Sequence, residues 1–254
     1  MLKRKITRYL EQHLVSASNK ILLVEGARQV GKSYVIREVG QRLFANYVEL
    51  NFVTDNEGVQ LFKNVHTVDE FYLRLSSVAG DRLGNYNDTL IFLDEIQCYP
   101  QYLTLLKFLR EEQKYRFIAS GSALGMALRH TTSIPVGSVI IKKMYPLDFE
   151  EFLWANNYGE NAISDLYNHF LNQQSLSEEQ HEQLIELFRR YLLVGGLPDV
   201  VNEYLATHNI LNVRNLQNAI AAMYEADASQ YENNASRRLL IRRIYAMIVS
   251  QMEN

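Results

Sequence analysis

The residues that could do chemistry are concentrated in one short stretch, ILLVEGARQVGKS, at residues 21–33. Gly26 is followed five positions later by Gly31, Lys32 and Ser33, which completes the G-x-x-x-x-G-K-[ST] pattern of a phosphate-binding loop. Glycines let backbone N–H groups turn inward around phosphate oxygens, and the N-terminus of a following helix adds partial positive charge there. Lys32 would reach the β- and γ-phosphates of a nucleotide, and the Ser33 hydroxyl would bind Mg²⁺.

The elements around this loop favour the motif over a chance match in a glycine-containing turn. The apolar run at residues 21–24 predicts a buried strand before the loop, and SYVIREVGQRLF predicts a helix after it. A nucleoside triphosphate is therefore the predicted ligand. The predicted nucleotide-binding residues are Gly26, Ala27, Arg28, Gln29, Val30, Gly31, Lys32, Ser33 and Tyr34.

A second motif, TLIFLDE at residues 89–95, could supply the acidic groups that such a site needs. Its unbroken apolar run is typical of a strand that is buried on both faces of a parallel sheet. Asp94 and Glu95 would end this strand at the sheet edge where open α/β folds bind ligands. Asp94 is the predicted Mg²⁺ ligand beside Ser33, and Glu95 the predicted general base for the attacking water. The alternative, an acidic turn without chemistry, is disfavoured by the complete loop upstream.

A third strand pattern, YRFIASGSA at residues 115–123, ends in small polar residues. Ser120 and Ser122 would lie at the same sheet edge, where a hydroxyl can sense the γ-phosphate or the attacking water. The alternative is a Ser-Gly-Ser turn in which Ser122 caps a helix. The two interpretations are compatible.

Composition excludes several classes of protein. The chain has 254 residues, a net charge of −3 and 47% apolar residues, which gives no general attraction to nucleic acid or membrane surfaces. Its one cysteine, Cys98, excludes an intramolecular disulfide framework and fits a reducing compartment. No apolar run approaches the roughly 18 residues of a membrane-spanning helix. We expect a soluble, cytoplasmic protein.

The order of predicted elements indicates an α/β fold with a parallel sheet over residues 1–145, including an N-terminal helix, and a smaller all-helical segment over residues 146–254. Within the first part, helices are predicted at 55–63 and 67–78. Pro146, followed by acidic residues, predicts the start of the first helix of the second part.

Charge is distributed unevenly in the helical segment. Residues 147–188 contain nine acidic residues and no lysine or arginine, which disfavours contact with a phosphate backbone. The basic cluster RRLLIRR at 237–243 could touch nucleic acid or a partner, but a solvated helix face is the preferred interpretation.

Five motifs together resemble a known family: GARQVGKS, LIFLDEIQ, ASGSA, YPLDFEEFL and GGLPDVV. They are similar, in this order, to the prokaryotic AAA-fold P-loop ATPases that carry a carboxy-terminal domain of unknown function. The resemblance covers residues 20–230, and it implies an AAA-like domain followed by a helical lid or winged-helix-like segment. It also implies ATP and Mg²⁺ as cofactors, with Lys32 and Ser33 in the Walker A element and Asp94 and Glu95 in the Walker B element.

The resemblance assigns two further sites. One of Ser120 and Ser122 would occupy the sensor position. The motif Gly196-Leu197-Pro198 is similar to one that lies near the adenine in the helical lid of signalling ATPases, which implies a nucleotide-binding role for these three residues.

The chain departs from the family pattern in two places. Relatives usually carry a basic residue after Gly137, where this chain has Ser138. If that residue serves the phosphates of the bound or of a neighbouring nucleotide, Arg129 or Arg116 would have to supply the cation here. Relatives also commonly run to around four hundred residues, so the carboxy-terminal domain is expected to be truncated here.

The leading hypothesis is a Mg²⁺-dependent ATPase that converts ATP to ADP and phosphate and moves the helical lid against the sheet. The alternative is a non-catalytic, nucleotide-dependent switch or interaction module, which Ser138 and the short carboxy end favour. A small-molecule kinase ranks lower because Asp94-Glu95 suits water activation, and the charge distribution does not support nucleic-acid handling. A homo-oligomer and an unidentified protein partner are both compatible with the sequence.

Overall fold

The computed structural model describes residues 2–122, 137–230 and 234–252. The chain divides into two compact units, Met1–Asp165 and Leu166–Asn254. The first unit is an α/β structure and the second is helical, which confirms the predicted fold class. The functional boundary expected near residue 145 stays a prediction.

Five parallel strands form the sheet of the first unit, in the order β2-β3-β4-β1-β5. They are β1 (Ile21–Glu25), β2 (Asn46–Asn51), β3 (Thr89–Asp94), β4 (Arg116–Gly121) and β5 (Val139–Lys143). Every residue of β3 is buried, as its continuous apolar run predicts. Because all five strands are parallel, their carboxyl ends meet at one side of the sheet, called here the carboxyl edge.

Seven helices of the described ranges begin in the first unit. They are α1 (Lys5–Val15), α2 (Lys32–Leu43), α3 (Phe52–Glu57), α4 (Val68–Ala79), α5 (Gln101–Glu112), α6 (Phe149–Ala155) and α7 (Glu160–Leu171), which runs into the second unit. The predicted helix at 67–78 is observed as α4, and Thr67 caps it in a capping box with Glu70.

The helix predicted at 55–63 is wrong, because α3 begins earlier and ends at Glu57. The Asp55 carboxylate accepts the backbone N–H groups of Leu61 at 2.8 Å and Phe62 at 3.0 Å, which turns the chain back on itself. A short carboxylate that satisfies two backbone donors offers the chain an alternative to the helical ladder.

The start of α6 also differs from its prediction. Pro146 lies outside the helix, which begins at Phe149 with Asp148 as its N-cap. The Asp148 side chain accepts the N–H of Glu151 at 2.9 Å, and the Glu151 carboxylate accepts the N–H of Asp148 at 3.3 Å. This capping box stabilises the helix start more directly than the proline would.

A cluster of buried side chains joins one face of the sheet to α4 and α5. Phe71 lies at its centre, with ring centroids of Phe62, Tyr72, Tyr102 and Phe117 at 5.7–6.1 Å. Such offset and edge-on ring pairs add to the free energy gained from burial alone. The cluster therefore carries much of the stability of the strands that end at the carboxyl edge.

The second unit is a series of helices in which each helix from Glu178 onward contacts the next one along the chain. Its helices after α7 are α8 (Glu178–Val194), α9 (Pro198–Thr207), α10 (Ile210–Gln230) and α11 (Ala235–Met252). Ser177 and Gln180 form a capping box at the start of α8. Across the described ranges, each helix is too short or too polar to pass through a lipid bilayer.

Replacing Phe71 by alanine should lower the free energy of unfolding by about 3–5 kcal/mol, because the change opens a cavity among four rings. The control is Leu73→Ala on the same helix, where the side chain is 75% exposed and the loss should stay below about 0.5 kcal/mol. Chemical denaturation followed by circular dichroism measures both. Equal losses in the two variants would contradict the packing described for α4.

Candidate functional site

The sheet order brings the three predicted motifs to one place. Strands β3, β4 and β1 are neighbours, so Asp94 at the end of β3, Ser120 near the end of β4 and the loop after β1 share the carboxyl edge. Ligands of open α/β sheets bind at this edge. All of these residues lie in the first unit.

The phosphate-binding loop requires glycine at both of its motif positions. A Cβ on Gly26 would lie 2.3 Å from the Met144 carbonyl oxygen, so no side chain fits there. Gly31 has φ of 92°, a left-handed backbone that favours glycine, and it is the N-cap of α2. The loop thus delivers the chain directly into a helix N-terminus, where backbone N–H groups are available to an anion.

Lys32 lies folded over the loop, with its side chain only 4% exposed. Its Nζ donates to the carbonyl oxygens of Gly26 at 3.0 Å and Ala27 at 2.9 Å, and lies 3.9 Å from Glu95 Oε1. Burial lowers the pKa of Lys32, and the nearby charges of Glu95 and Asp94 oppose that shift. The ammonium is therefore held within the loop that would cradle phosphates.

Asp94 is the buried centre of the site, at 2% exposure. Ser33 Oγ donates to its two carboxylate oxygens at 3.0 and 2.9 Å, Asn51 Nδ2 donates to Oδ2 at 3.0 Å, and the Ser120 hydroxyl donates to Oδ1. Burial raises the pKa of Asp94, while the Ser120 and Ser33 hydroxyls counteract that shift. The predicted Mg²⁺ pair and one predicted sensor serine are in contact.

Glu95 leaves the strand in a left-handed conformation, with φ of 54°. A residue other than glycine held there is often part of a functional site. Its Oε2 accepts hydrogen bonds from Ser122 Oγ at 3.0 Å and from Gln97 Nε2, and Gln97 Nε2 also donates to Ser122 Oγ at 3.0 Å. The Glu95 carboxylate is thus fixed beside Lys32 and Ser122.

Two residues of the site were missed by the sequence reasoning. Asn51 ends β2 in register with Asp94, and its Oδ1 caps α3 by accepting the Thr54 N–H at 3.0 Å. The sequence shows a polar residue, Asn51, at the end of a mostly apolar strand pattern, and this signal could have identified it. Gln97, which orients Glu95, lies in a short 3₁₀ turn that carries no such signal.

Not all predicted residues converge. Tyr34 is 54% exposed on α2. Gly196 and Leu197 lie in the link between α8 and α9 in the second unit, and Pro198 is the first residue of α9. Their nucleotide-binding role stays a prediction.

Arg116 does not lie where it could serve the phosphates of this chain's own nucleotide. Arg116 begins β4, at the amino end of the sheet, where it donates to the Ser16 carbonyl at 3.2 Å and lies over the Tyr86 ring. Ser138 precedes β5 at the same amino end and accepts a hydrogen bond from Arg110 at 2.9 Å. A strand of five residues spans about 16 Å, so neither residue reaches a phosphate at the carboxyl edge. Arg129, the other candidate, lies outside the described residues.

The oxygen atoms at the carboxyl edge are suitable ligands for a magnesium ion. Asp94 offers buried carboxylate oxygens and Ser33 a hydroxyl oxygen in contact with them. Mg²⁺ prefers hard oxygen ligands and is held in nucleotide sites by one or two such groups together with phosphate oxygens and water.

A family model described as "AAA domain" matches residues 18–153, which is more than half of the chain. The chain belongs to this AAA domain family. A second model, "Domain of unknown function (DUF8612)", matches residues 185–254. These two matches confirm the family predicted from the five motifs.

Two solved structures align with this AAA domain protein, and the first of them shares its fold. The Walker-type ATPase PABY2304 of Pyrococcus abyssi aligns with a TM-score of 0.54 at 12% identity, over 93% of this chain and 77% of that one. AMPPCP-bound DnaA from Aquifex aeolicus aligns with a TM-score of 0.46 at 13% identity, over 96% of this chain and 78% of that one. At such identities the likeness concerns the fold alone. No curated protein is similar enough to this chain to count as a relative.

Replacing Asp94 by asparagine should raise the thermal unfolding midpoint of the nucleotide-free protein at neutral pH. The wild-type carboxylate is buried and its pKa is raised, so the folded state holds its charge at a cost that asparagine removes. The difference should shrink as the pH falls through the raised pKa of Asp94, because the wild-type group then takes up a proton. Differential scanning fluorimetry across pH measures it, with Asp81→Asn as the exposed control. A destabilised Asp94→Asn variant at all pH values would contradict this account.

Proposed function

We propose that this AAA domain binds ATP with Mg²⁺ and hydrolyses it to ADP and phosphate. The observation that carries the proposal is that Lys32, Ser33, Asp94 and Glu95 meet at the carboxyl edge. Hydrogen bonds hold both carboxylates there, from Ser33 to Asp94 and from Ser122 to Glu95. Membership of the AAA domain family supports nucleotide binding at this loop.

Binding would use the loop and the start of α2. The Lys32 ammonium now rests on the carbonyl oxygens of Gly26 and Ala27, which are weaker partners than phosphate oxygens. An incoming triphosphate would take over this ammonium and the backbone N–H groups at the helix N-terminus. Ser33 and Asp94 would hold Mg²⁺, which supplies positive charge to the β- and γ-phosphate oxygens.

Glu95 is suited to the general-base step. Its carboxylate would accept a proton from water as the water oxygen bonds to the γ-phosphorus. The bond from that phosphorus to the bridging oxygen breaks, and its electron pair goes to the β-phosphate of ADP. Ser122 and Gln97 both donate to Glu95 Oε2, which keeps the carboxylate oriented and leaves Oε1 facing Lys32.

The second unit would act as the lid in this proposal. The support is the resemblance of Gly196-Leu197-Pro198 to a lid motif and the structured link that contains it. Gly195 ends α8 with φ of 74°, and the Gln217 side chain donates to the Leu193 and Val194 carbonyls at 2.9 and 3.0 Å. The motif therefore lies between α8 and α9, and the Gln217 side chain holds the end of α8.

The departure at Ser138 does not favour a non-catalytic module over this proposal. Ser138 lies at the amino end of the sheet, a strand length away from the loop that would hold this chain's own nucleotide. A cation there could not serve the reacting phosphate of the same chain. Phosphate release measured beside ATP binding distinguishes an ATPase from a non-catalytic switch.

Replacing Lys32 by alanine should abolish measurable binding of ATP, because the variant loses the charge that the loop directs at the β- and γ-phosphates. Titration with a fluorescent ATP analogue in the presence of Mg²⁺ checks this. Lys107→Ala, on the exposed side of α5, is the matched control and should bind as the wild type does. If Lys32→Ala bound the ATP analogue as tightly as the wild type does, the loop would not be the nucleotide site.

Replacing Glu95 by glutamine should leave ATP binding within a few-fold of the wild type and lower kcat by about 10²–10⁴-fold, since only the proton acceptor is lost. Phosphate release and nucleotide titration on the same samples give the two quantities. Glu186→Gln, an exposed partner of Arg190, is the control. If the wild type binds ATP but releases no phosphate, the non-catalytic switch is the correct function.

A further inference from the structure

One arginine ahead of the family-matched segment is buried in the first unit. Arg4 directly precedes α1, and 6% of its surface is exposed. Arginine is almost never buried without partners, so its contacts should have a consequence for the fold or the site. The AAA domain match begins at residue 18, and Arg4 lies outside it.

The Arg4 guanidinium holds two backbone carbonyl groups from different segments. Nη1 donates to the Val30 carbonyl at 2.8 Å, and Nη2 donates to the Tyr145 carbonyl at 2.6 Å. Val30 immediately precedes Gly31 in the phosphate-binding loop, and Tyr145 lies in the connection between β5 and α6. A single side chain therefore ties the amino-terminal segment to the loop and to this connection.

Glu151 balances the charge of Arg4. Arg4 Nε lies 3.2 Å from Glu151 Oε2, and the two side chains are 5% and 6% exposed. Glu151 Oε1 also accepts the N–H of Lys5 at 2.6 Å, so the same carboxylate caps the first turn of α1. Loss of either partner would leave a buried charge without compensation.

The start of the chain makes further contacts beside this ion pair. The ammonium groups of Lys3 and Lys5 lie 4.7 and 5.9 Å from the ring centre of Trp154 on α6. Lys5 also pairs with Asp148 and Glu150 at 2.6 Å. The amino-terminal segment is thus docked on α6 as well as on the loop.

The loop is supported at its other end by the same β5–α6 connection. The Met144 carbonyl closes the space beside Gly26, and the Met144 N–H donates to the Glu25 carbonyl at 2.7 Å. At the Val30 end, Arg4 connects the loop to the Tyr145 carbonyl of the same connection. Both ends of the loop therefore rest on residues 144–145 and the arginine that contacts them.

We propose that Arg4 is a positioning residue for the phosphate-binding loop. The peptide between Val30 and Gly31 is planar and trans, so its C=O and N–H point in opposite directions. By holding the Val30 carbonyl, Arg4 turns the Gly31 N–H away from itself, toward the side on which the loop receives phosphate. The inference rests on the proposed nucleotide binding.

The proposal makes nucleotide binding and docking of the amino-terminal segment mutually dependent. If the docked segment holds the loop in its binding geometry, bound nucleotide must stabilise the docked segment by the same factor. Lysine would not replace Arg4, because an ammonium keeps the charge beside Glu151 but lacks the planar fork that spans two carbonyl groups.

The test compares Arg4→Lys and Arg4→Met with wild type by direct titration of ADP and a non-hydrolysable ATP analogue, well below the unfolding midpoint of each variant. Both variants should bind at least about tenfold more weakly, as expected for loss of a hydrogen bond to a charged group. Arg42→Met is the matched control, because Arg42 pairs with Glu11 of α1 on the exposed surface and does not contact the loop. This control should bind as the wild type does.

The outcomes separate the inference from the proposed function. If the wild type binds no nucleotide, the proposed function fails. If the wild type binds and folded Arg4→Lys binds equally well, Arg4 only fastens the fold and the inference is overturned. Should Arg4→Met fail to fold, Arg4→Lys alone decides, since it retains the charge that Glu151 needs.

Hydrogen exchange gives a readout that a purely structural role would not move. Saturating nucleotide should slow exchange at the first amides of α1 in the wild type and in Arg42→Met. In Arg4→Lys the same saturation should leave those amides unchanged, because the link to Val30 is lost. Equal protection in wild type and Arg4→Lys would contradict the coupling.

Discussion

The site depends on one electrostatic constraint, which is a carboxylate kept inside the protein at the carboxyl edge of the sheet. Asp94 is almost fully buried, and an unpaired carboxylate there would take up a proton instead of staying charged. Donors from three different elements surround it: Ser33 on α2, Asn51 on β2 and Ser120 on β4. The alignment of these elements with β3 is therefore a condition for the proposed chemistry as well as for the fold.

Hydrogen bonds also hold the ammonium of Lys32 and the carboxylate of Glu95 at this edge. Lys32 rests on loop carbonyls, and Glu95 is oriented by Ser122 and Gln97. Groups held in advance lose little freedom when a ligand arrives, which is how a site gains affinity without new contacts. The arrangement also places the two carboxylates in different surroundings, one buried among donors and one beside an ammonium, which suits them to different tasks.

Local patterns in the sequence were enough to predict most of the fold and to place Lys32, Ser33, Asp94 and Glu95 at one edge of the sheet, while their chemical roles stay predictions. The loop and the apolar run before Asp94 depend on residues within a few positions of one another, so their consequences are visible in the sequence. Contacts between distant segments were not predictable. The Asp55 carboxylate ends a helix by accepting backbone N–H groups six and seven residues further on. Gln97 orients Glu95 together with Ser122, which lies on a distant segment. Arg116 was named as a candidate cation, but it begins its strand and so lies at the end of the sheet away from the loop.

The position of Trp154 makes it an intrinsic fluorescent probe of the amino-terminal segment. It is the only tryptophan in the sequence, and it lies under the ammonium groups of Lys3 and Lys5, next to the pairing of Arg4 with Glu151. Indole emission responds to nearby charge, so the native protein carries an optical probe of whether its first residues are in place. Detachment of that segment can be followed in real time without attaching a dye.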